Sequence, residues 1–159
     1  QLGILKDSGI DLIVAETMIN IEESLAAVDA ASTVCELPIM CTMTVEADGS
    51  IFSGGNIIEA AASLEAAGAD AVGVNCSVGP DQLLSVIRNI KENVTVPVIA
   101  KPNAGMPFID DKGNAVYSMK ADELAKHIKA LVDAGAGIVG GCCGTTPEFI
   151  REVVKIIRR

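Results

Sequence analysis

Apolar residues along this chain gather in five short runs rich in β-branched side chains: 11–17 (DLIVAET), 38–45 (PIMCTMTV), Ala71–Cys76 (AVGVNC), 97–103 (PVIAKPN) and 138–143 (IVGGCC). Continuous apolar runs of this length are expected of strands covered on both faces, as in a parallel sheet. The stretches between them carry helical spacing instead. In 56–67 the residues Ile57, Ala60, Ala61, Leu64 and Ala67 share one face, and in 121–134 so do Leu124, Ile128 and Leu131. These helices are expected to stop at Ala67-Gly68 and Ala134-Gly135, where glycine can take the left-handed cap conformation. The phrases SGIDLIVAE, AGADAVGVN and AGAGIVGGC each place such a helix end a few residues before a strand. Helix, tight turn and strand therefore repeat, which predicts βα units joined by right-handed crossovers.

Five such units fit either an open doubly wound sheet or part of a (βα)8 barrel. Polar residues stand at the C-terminal ends of all five runs: Glu16, Thr44, Asn75 with Cys76, Lys101 with Asn103, and Cys142 with Cys143. That distribution favours the α/β barrel of the TIM type, whose active site is assembled from those strand ends. An open sheet concentrates its site at one switch point. Five strands do not close an eight-stranded barrel, so the chain is expected to start inside a longer protein, with the first three units outside it. Two long loops with strong turn signals, 46–55 (EADGSIFSGG) and 105–118 (GMPFIDDKGNAVYS), follow strand ends and are the natural substrate-facing segments.

Composition narrows the function. Half of the 159 residues are apolar, enough for one sizeable core, and no run approaches the ~18 apolar residues that suggest a membrane span. A net charge of -9 repels polyanions, and three Phe and one Tyr supply few stacking platforms, so neither nucleic acid nor an anionic membrane is an expected partner. The five cysteines are odd in number, and two are adjacent. Reduced thiols in a cytoplasmic setting are expected rather than a disulfide framework.

Cys76 ends the third run, and Cys142 with Cys143 ends the fifth, so all three are expected on one rim. Catalytic zinc takes three protein ligands and an open position, and thiolates suit it. Adjacent residues of a regular strand point to opposite faces, so Cys142 and Cys143 share a metal only if the backbone turns sharply; Gly140, Gly141 and Gly144 allow that. Plain burial of the thiols or a redox pair are the alternatives to a metal site. Cys35 and Cys41, at a helix end and inside a strand, read as packing thiols. So do Met40, Met43 and Met119 as packing side chains, and His127 belongs to the boundary of its helix. Gly54-Gly55 lacks the Lys-Ser/Thr of a phosphate loop and reads as a turn into a helix. Thr146 and Pro147 read as the N-cap and first residue of the last helix.

The segments GVNCSVGP (73–80), KPNAGMP (101–107) and GGCCGTTPEFI (140–150), in this order, resemble the signatures of the zinc-dependent homocysteine S-methyltransferase family. The resemblance spans essentially the whole chain, from the fourth to the eighth strand of the family's barrel. KPNAGMP is most similar to the N-terminal homocysteine-binding barrel of the cobalamin-dependent methionine synthases. The resemblance implies that residues 1–159 are the C-terminal part of such a barrel, about five βα units, with zinc held by Cys76, Cys142 and Cys143. It implies methyl transfer to the zinc-activated thiolate of homocysteine, forming methionine, with the substrate sulfur as nucleophile and no catalytic side chain. Methylcobalamin is the implied donor in the intact enzyme, and cobalamin-binding and methyltetrahydrofolate-binding modules are the implied partners. Betaine or S-methylmethionine as donor, or a non-catalytic zinc-binding half-barrel paired with another chain, are the other readings. Glu16 resembles the family's receptor for the substrate ammonium, Asn103 a residue able to occupy the open metal position, and Asn75 a residue orienting the site by hydrogen bonds.

Overall fold

A computed structural model describes residues 1–158. Its centre is a parallel sheet in the order β1-β2-β3-β4-β7, formed by Ile13–Met18 (β1), Ile39–Met43 (β2), Ala71–Cys76 (β3), Val98–Pro102 (β4) and Ala136–Val139 (β7). Helices alternate with these strands: Leu2–Asp7 (α1), Ile21–Val34 (α2), Ile57–Ala66 (α3), Leu84–Asn93 (α4), Ala121–Asp133 (α5) and Pro147–Ile157 (α6). Every neighbouring strand pair is parallel, as continuous apolar runs joined by helical crossovers require. The helix ends follow local chemistry. Asn20 and Asn56 cap α2 and α3 by accepting backbone N–H bonds from Glu23 and Ile58, and Gly68 and Gly135 take positive φ where α3 and α5 end. Thr146 stands at the N-cap of α6 with Pro147 first in the helix, but its side chain makes no capping bond.

The two faces of the sheet differ. One carries Ile13, Cys41, Met43, Val72, Val74, Val98 and Ala100, which pack with Val28, Leu64, Ile87, Leu124, Ile128 and Leu131 of the helices into a single core. The strand pairing sets Thr42 opposite Gly73 and Asn75 opposite Lys101, so the alternate residues share the other face. That face curls. Glu16 of β1 and Lys101 of β4 form an ion pair although two strands lie between them, a span of about 14 Å on a flat sheet at ordinary strand spacing. Gly73 is required within the ladder, because a Cβ there would lie 2.0 Å from the carbonyl oxygen of Ile99 on β4. The sheet is thus a curved arc of a barrel wall, with β1 and β7 as its edges among the described residues.

Two expectations need correction. The last strand ends at Val139 and does not reach Cys142 and Cys143, because the glycines at 140 and 141 release the chain from the ladder into a turn. The loop 105–118 is largely a hairpin, Pro107–Ile109 (β5) paired with Ala115–Tyr117 (β6). Its turn is held by Asp110, whose carboxylate accepts from the backbone N–H groups of Lys112 and Asn114. Among the described residues no helix is long and apolar enough to cross a membrane.

Candidate metal centre

The site begins where β3 runs out. Asn75 still follows the strand, but Cys76 and Ser77 have φ of 57° and 63°, a left-handed step that side-chain-bearing residues adopt at a cost of about 1–3 kcal/mol each. The step takes the Cys76 thiol out of the strand's alternation and onto the rim. Ser77 pins it, its hydroxyl donating to the Asn75 carbonyl (3.0 Å) and accepting from the Val45 N–H (3.0 Å).

The other two thiols arrive on the turn after β7, which is fastened to the end of β4. The Cys142 N–H donates to the Pro102 carbonyl (2.8 Å), the Cys143 N–H to Oδ1 of Asn103 (3.1 Å), and the Ala104 N–H to the Cys143 carbonyl (2.9 Å). Thr145 closes the turn through its hydroxyl on the Cys142 carbonyl (2.7 Å). Gly144 completes it at φ 78°, and a Cβ there would lie 2.3 Å from Cγ of Tyr117 on the hairpin. A glycine is needed on both counts.

The three sulfurs converge. Cys76 Sγ lies 3.8 Å and Cys142 Sγ 4.0 Å from Cys143 Sγ, and all three fall within 4.8 Å of one another. Tetrahedral zinc with Zn–S bonds of about 2.3 Å separates its sulfurs by about 3.8 Å. The donor set and its spacing therefore fit zinc, and the exposed Cys143 leaves the cluster open on one side. Partial burial pushes the Cys76 thiol up; the neighbouring thiols add to this and a hydrogen bond from Asn103 opposes it. Tyr117 is likewise raised, by desolvation and then by Cys143.

The residues proposed around the thiols from the sequence all reach this rim, in different ways. Asn75 is fully buried. Its Oδ1 accepts from the Thr17 N–H (2.9 Å) and the Thr42 hydroxyl (2.7 Å), while its Nδ2 donates to Thr17 Oγ1 (2.8 Å) and faces Cys142 Sγ at 3.7 Å. Thr17, itself left-handed at φ 60°, is held there by this amide. Asn103, 4% exposed, uses its own amide to tie the Cys143 backbone to the Ser77 carbonyl (3.3 Å). Glu16 is half exposed and paired with Lys101. Cys41 is buried and its thiol is pushed up to about 11 by that burial, whereas Cys35 sits at the end of α2; both are remote from the sulfur cluster in their contacts. His127 is half-buried on α5. Thr17, Thr42, Lys101 and Tyr117 also reach this rim. Lys101 had a visible signal, a cation at a strand end within KPNAGMP, while Thr17, Thr42 and Tyr117 join the site through pairings no local pattern reveals.

Residues 1–157 match the model of the homocysteine S-methyltransferase family. The chain belongs to this family. It is 36% identical over 164 residues to the methionine synthase of Mycobacterium leprae, and 36% identical over 162 residues to that of Mycobacterium tuberculosis. These alignments cover 99% and 98% of this chain but 13% of each relative, so the chain spans about an eighth of their length. Among solved structures the homocysteine methyltransferase MmuM of Escherichia coli, in its oxidized form, superposes with a TM-score of 0.77 at 23% identity, over 96% of this chain and 47% of that one. A 2,3-dimethylmalate lyase superposes with a TM-score of 0.69 at 16% identity, covering 98% of this chain and 59% of that one. At these identities the structural likenesses speak for the fold: an arc of a TIM-type barrel. The segments GVNC (73–76) and GGCC (140–143) deliver the three sulfurs to one point.

Proposed function

We propose that this chain is the C-terminal part of a homocysteine-binding barrel, its N-terminal strands lying outside the chain, and that Cys76, Cys142 and Cys143 hold a zinc ion that receives the thiol of homocysteine for methylation to methionine. The observation that carries the reading is the convergence of three thiols within 4.8 Å from two separate strand ends. When bound, zinc supplies a Lewis acid that keeps a coordinated thiol ionised near neutral pH. The protein's own groups do the positioning. Asn75 locks Thr17 and faces Cys142, and Asn103 fixes the turn that carries Cys143 while its amide stands beside the cluster, where it can fill the open position before substrate arrives. Glu16 receives the substrate ammonium, which leaves the substrate sulfur free to reach the thiols. No side chain of this rim is needed as nucleophile, since the sulfur itself attacks the methyl group.

Methylcobalamin is the proposed donor, presented by cobalamin- and methyltetrahydrofolate-binding modules of the same or a partner chain. The support is the 36% identity to two proteins named methionine synthase, each roughly eight times the length matched here.

Metal analysis tests the centre. Cys76→Ser, Cys142→Ser and Cys143→Ser should each weaken zinc binding sharply, since a serine hydroxyl is not ionised at neutral pH and is a harder ligand. Cys35→Ser and Cys41→Ser should leave it unchanged. X-ray absorption should show the zinc gaining one sulfur when homocysteine is added. Wild-type zinc affinity in any one of the three variants removes that cysteine from the ligand set, and an unchanged sulfur count removes homocysteine from the site.

A further inference from the structure

Among the described residues, Lys101 is the one charged side chain of the inner sheet face that the proposed chemistry leaves unused. It lies on β4 in register with the buried Asn75 of β3, its stem packs against Gly140 just ahead of the Cys142–Cys143 turn, and its ammonium pairs with Glu16 across two strands. The Lys101 side chain is 23% exposed and that of Glu16 is 47% exposed, so both charged ends remain reachable from the rim. One anion and one cation side by side next to a thiophilic centre complement a zwitterion whose side chain ends in sulfur.

We infer that Lys101 is a substrate-recognition residue that binds the α-carboxylate of the amino-acid substrate while Glu16 binds its ammonium. The inference rests on the proposed role of the thiol cluster. In the free protein the two side chains satisfy each other, so neither charge is left bare at the rim. An arriving amino acid replaces one ion pair by two of the same kind: Glu16 exchanges the lysine ammonium for the substrate's, and Lys101 exchanges the glutamate carboxylate for the substrate's. The exchange is electrically neutral, and a partly exposed pair is weak enough to open. A ligand bearing only one of the two charges must break the resident pair and leave one member without a partner. Recognition is thereby directed at α-amino acids rather than at simple thiols or amines.

The test uses the protein with cobalt(II) in place of zinc, so that thiol binding is read from the sulfur-to-cobalt charge-transfer absorption. Homocysteine is compared with homocysteamine, which keeps the thiol and the amine and lacks the carboxylate. The wild type should prefer homocysteine by about tenfold to a hundredfold, the usual weight of a charge-assisted hydrogen bond. Lys101→Met should bring that preference close to one with cobalt uptake unchanged, and Lys101→Arg should keep most of it. A merely structural role for Lys101 would lower both affinities together and leave their ratio intact, which would overturn the inference, as would a wild type that binds both thiols equally. A wild type whose spectrum responds to neither thiol overturns the proposed function itself, and this inference with it.

Discussion

Replacing Asn75 by alanine is the sharpest test of how the site is built. The side chain is fully buried and its amide serves three groups directly: the Thr17 N–H, the Thr42 hydroxyl and Thr17 Oγ1. Thr42 is also fully buried, so its hydroxyl loses its partner outright, and the left-handed Thr17 loses the amide that holds it. At about 1–3 kcal/mol for each buried polar group left unpaired, with the groups of the exposed Thr17 partly rescued by water, the loss should be about 2–4 kcal/mol. With a urea m-value of roughly 2 kcal/mol/M, the unfolding midpoint should fall by about 1–2 M without a change in slope. A second substitution separates this mechanism from simple loss of packing. Thr42→Val should destabilise the wild type by about 1 kcal/mol but be neutral or stabilising in the Asn75→Ala background, where it removes an orphaned hydroxyl. Thr42→Val costing the same in both backgrounds would refute the coupling, and a midpoint shift below a few tenths molar would refute the buried network altogether.

Other outcomes follow from the same structure. In the metal-free protein, brief alkylation at pH 8 should modify Cys143 readily and leave Cys41 untouched until urea is added, because burial holds the Cys41 thiol up to about 11; mass spectrometry of the labelled peptides decides this. Glu65 on α3 accepts from the Thr95 and Val96 N–H groups at the entry to β4, and with the Thr95 hydroxyl foremost these bonds lower its pKa. Its stabilisation is present above the ordinary value of 4.5 and fades as pH falls through the lowered one, so the stability gap between wild type and Glu65→Gln should be constant near neutrality and close in acid, as denaturation at graded pH would show. The two strand edges, with Leu12 just before β1 and Val14 within it about half exposed, should make the isolated chain associate at high concentration; a concentration-independent monomer by light scattering would count against that.

Much of this was legible in the sequence because it depends on local pattern. Four of the five strands and the helices at 57–66 and 121–133 lie where apolar runs and helical spacing put them, the fifth shares only Ile138 and Val139 with its run, and Gly68 and Gly135 cap as their neighbours predict. The three cysteines stood out because thiols among glycines are poor core material, and the GGCC segment carried the family resemblance. Local pattern failed at the hairpin 107–117, where two three-residue strands are too short to show alternation, and at the end of β7, where glycine permits a strand to continue or to turn. Only the tertiary structure could decide that Cys76 leaves its strand left-handed, that Asn75 spends its amide on Thr17 and Thr42, and that Lys101 meets Glu16. These contacts join residues 33 to 85 positions apart across a curled sheet. Curvature is a property of the assembled strands, so no window of sequence contains it.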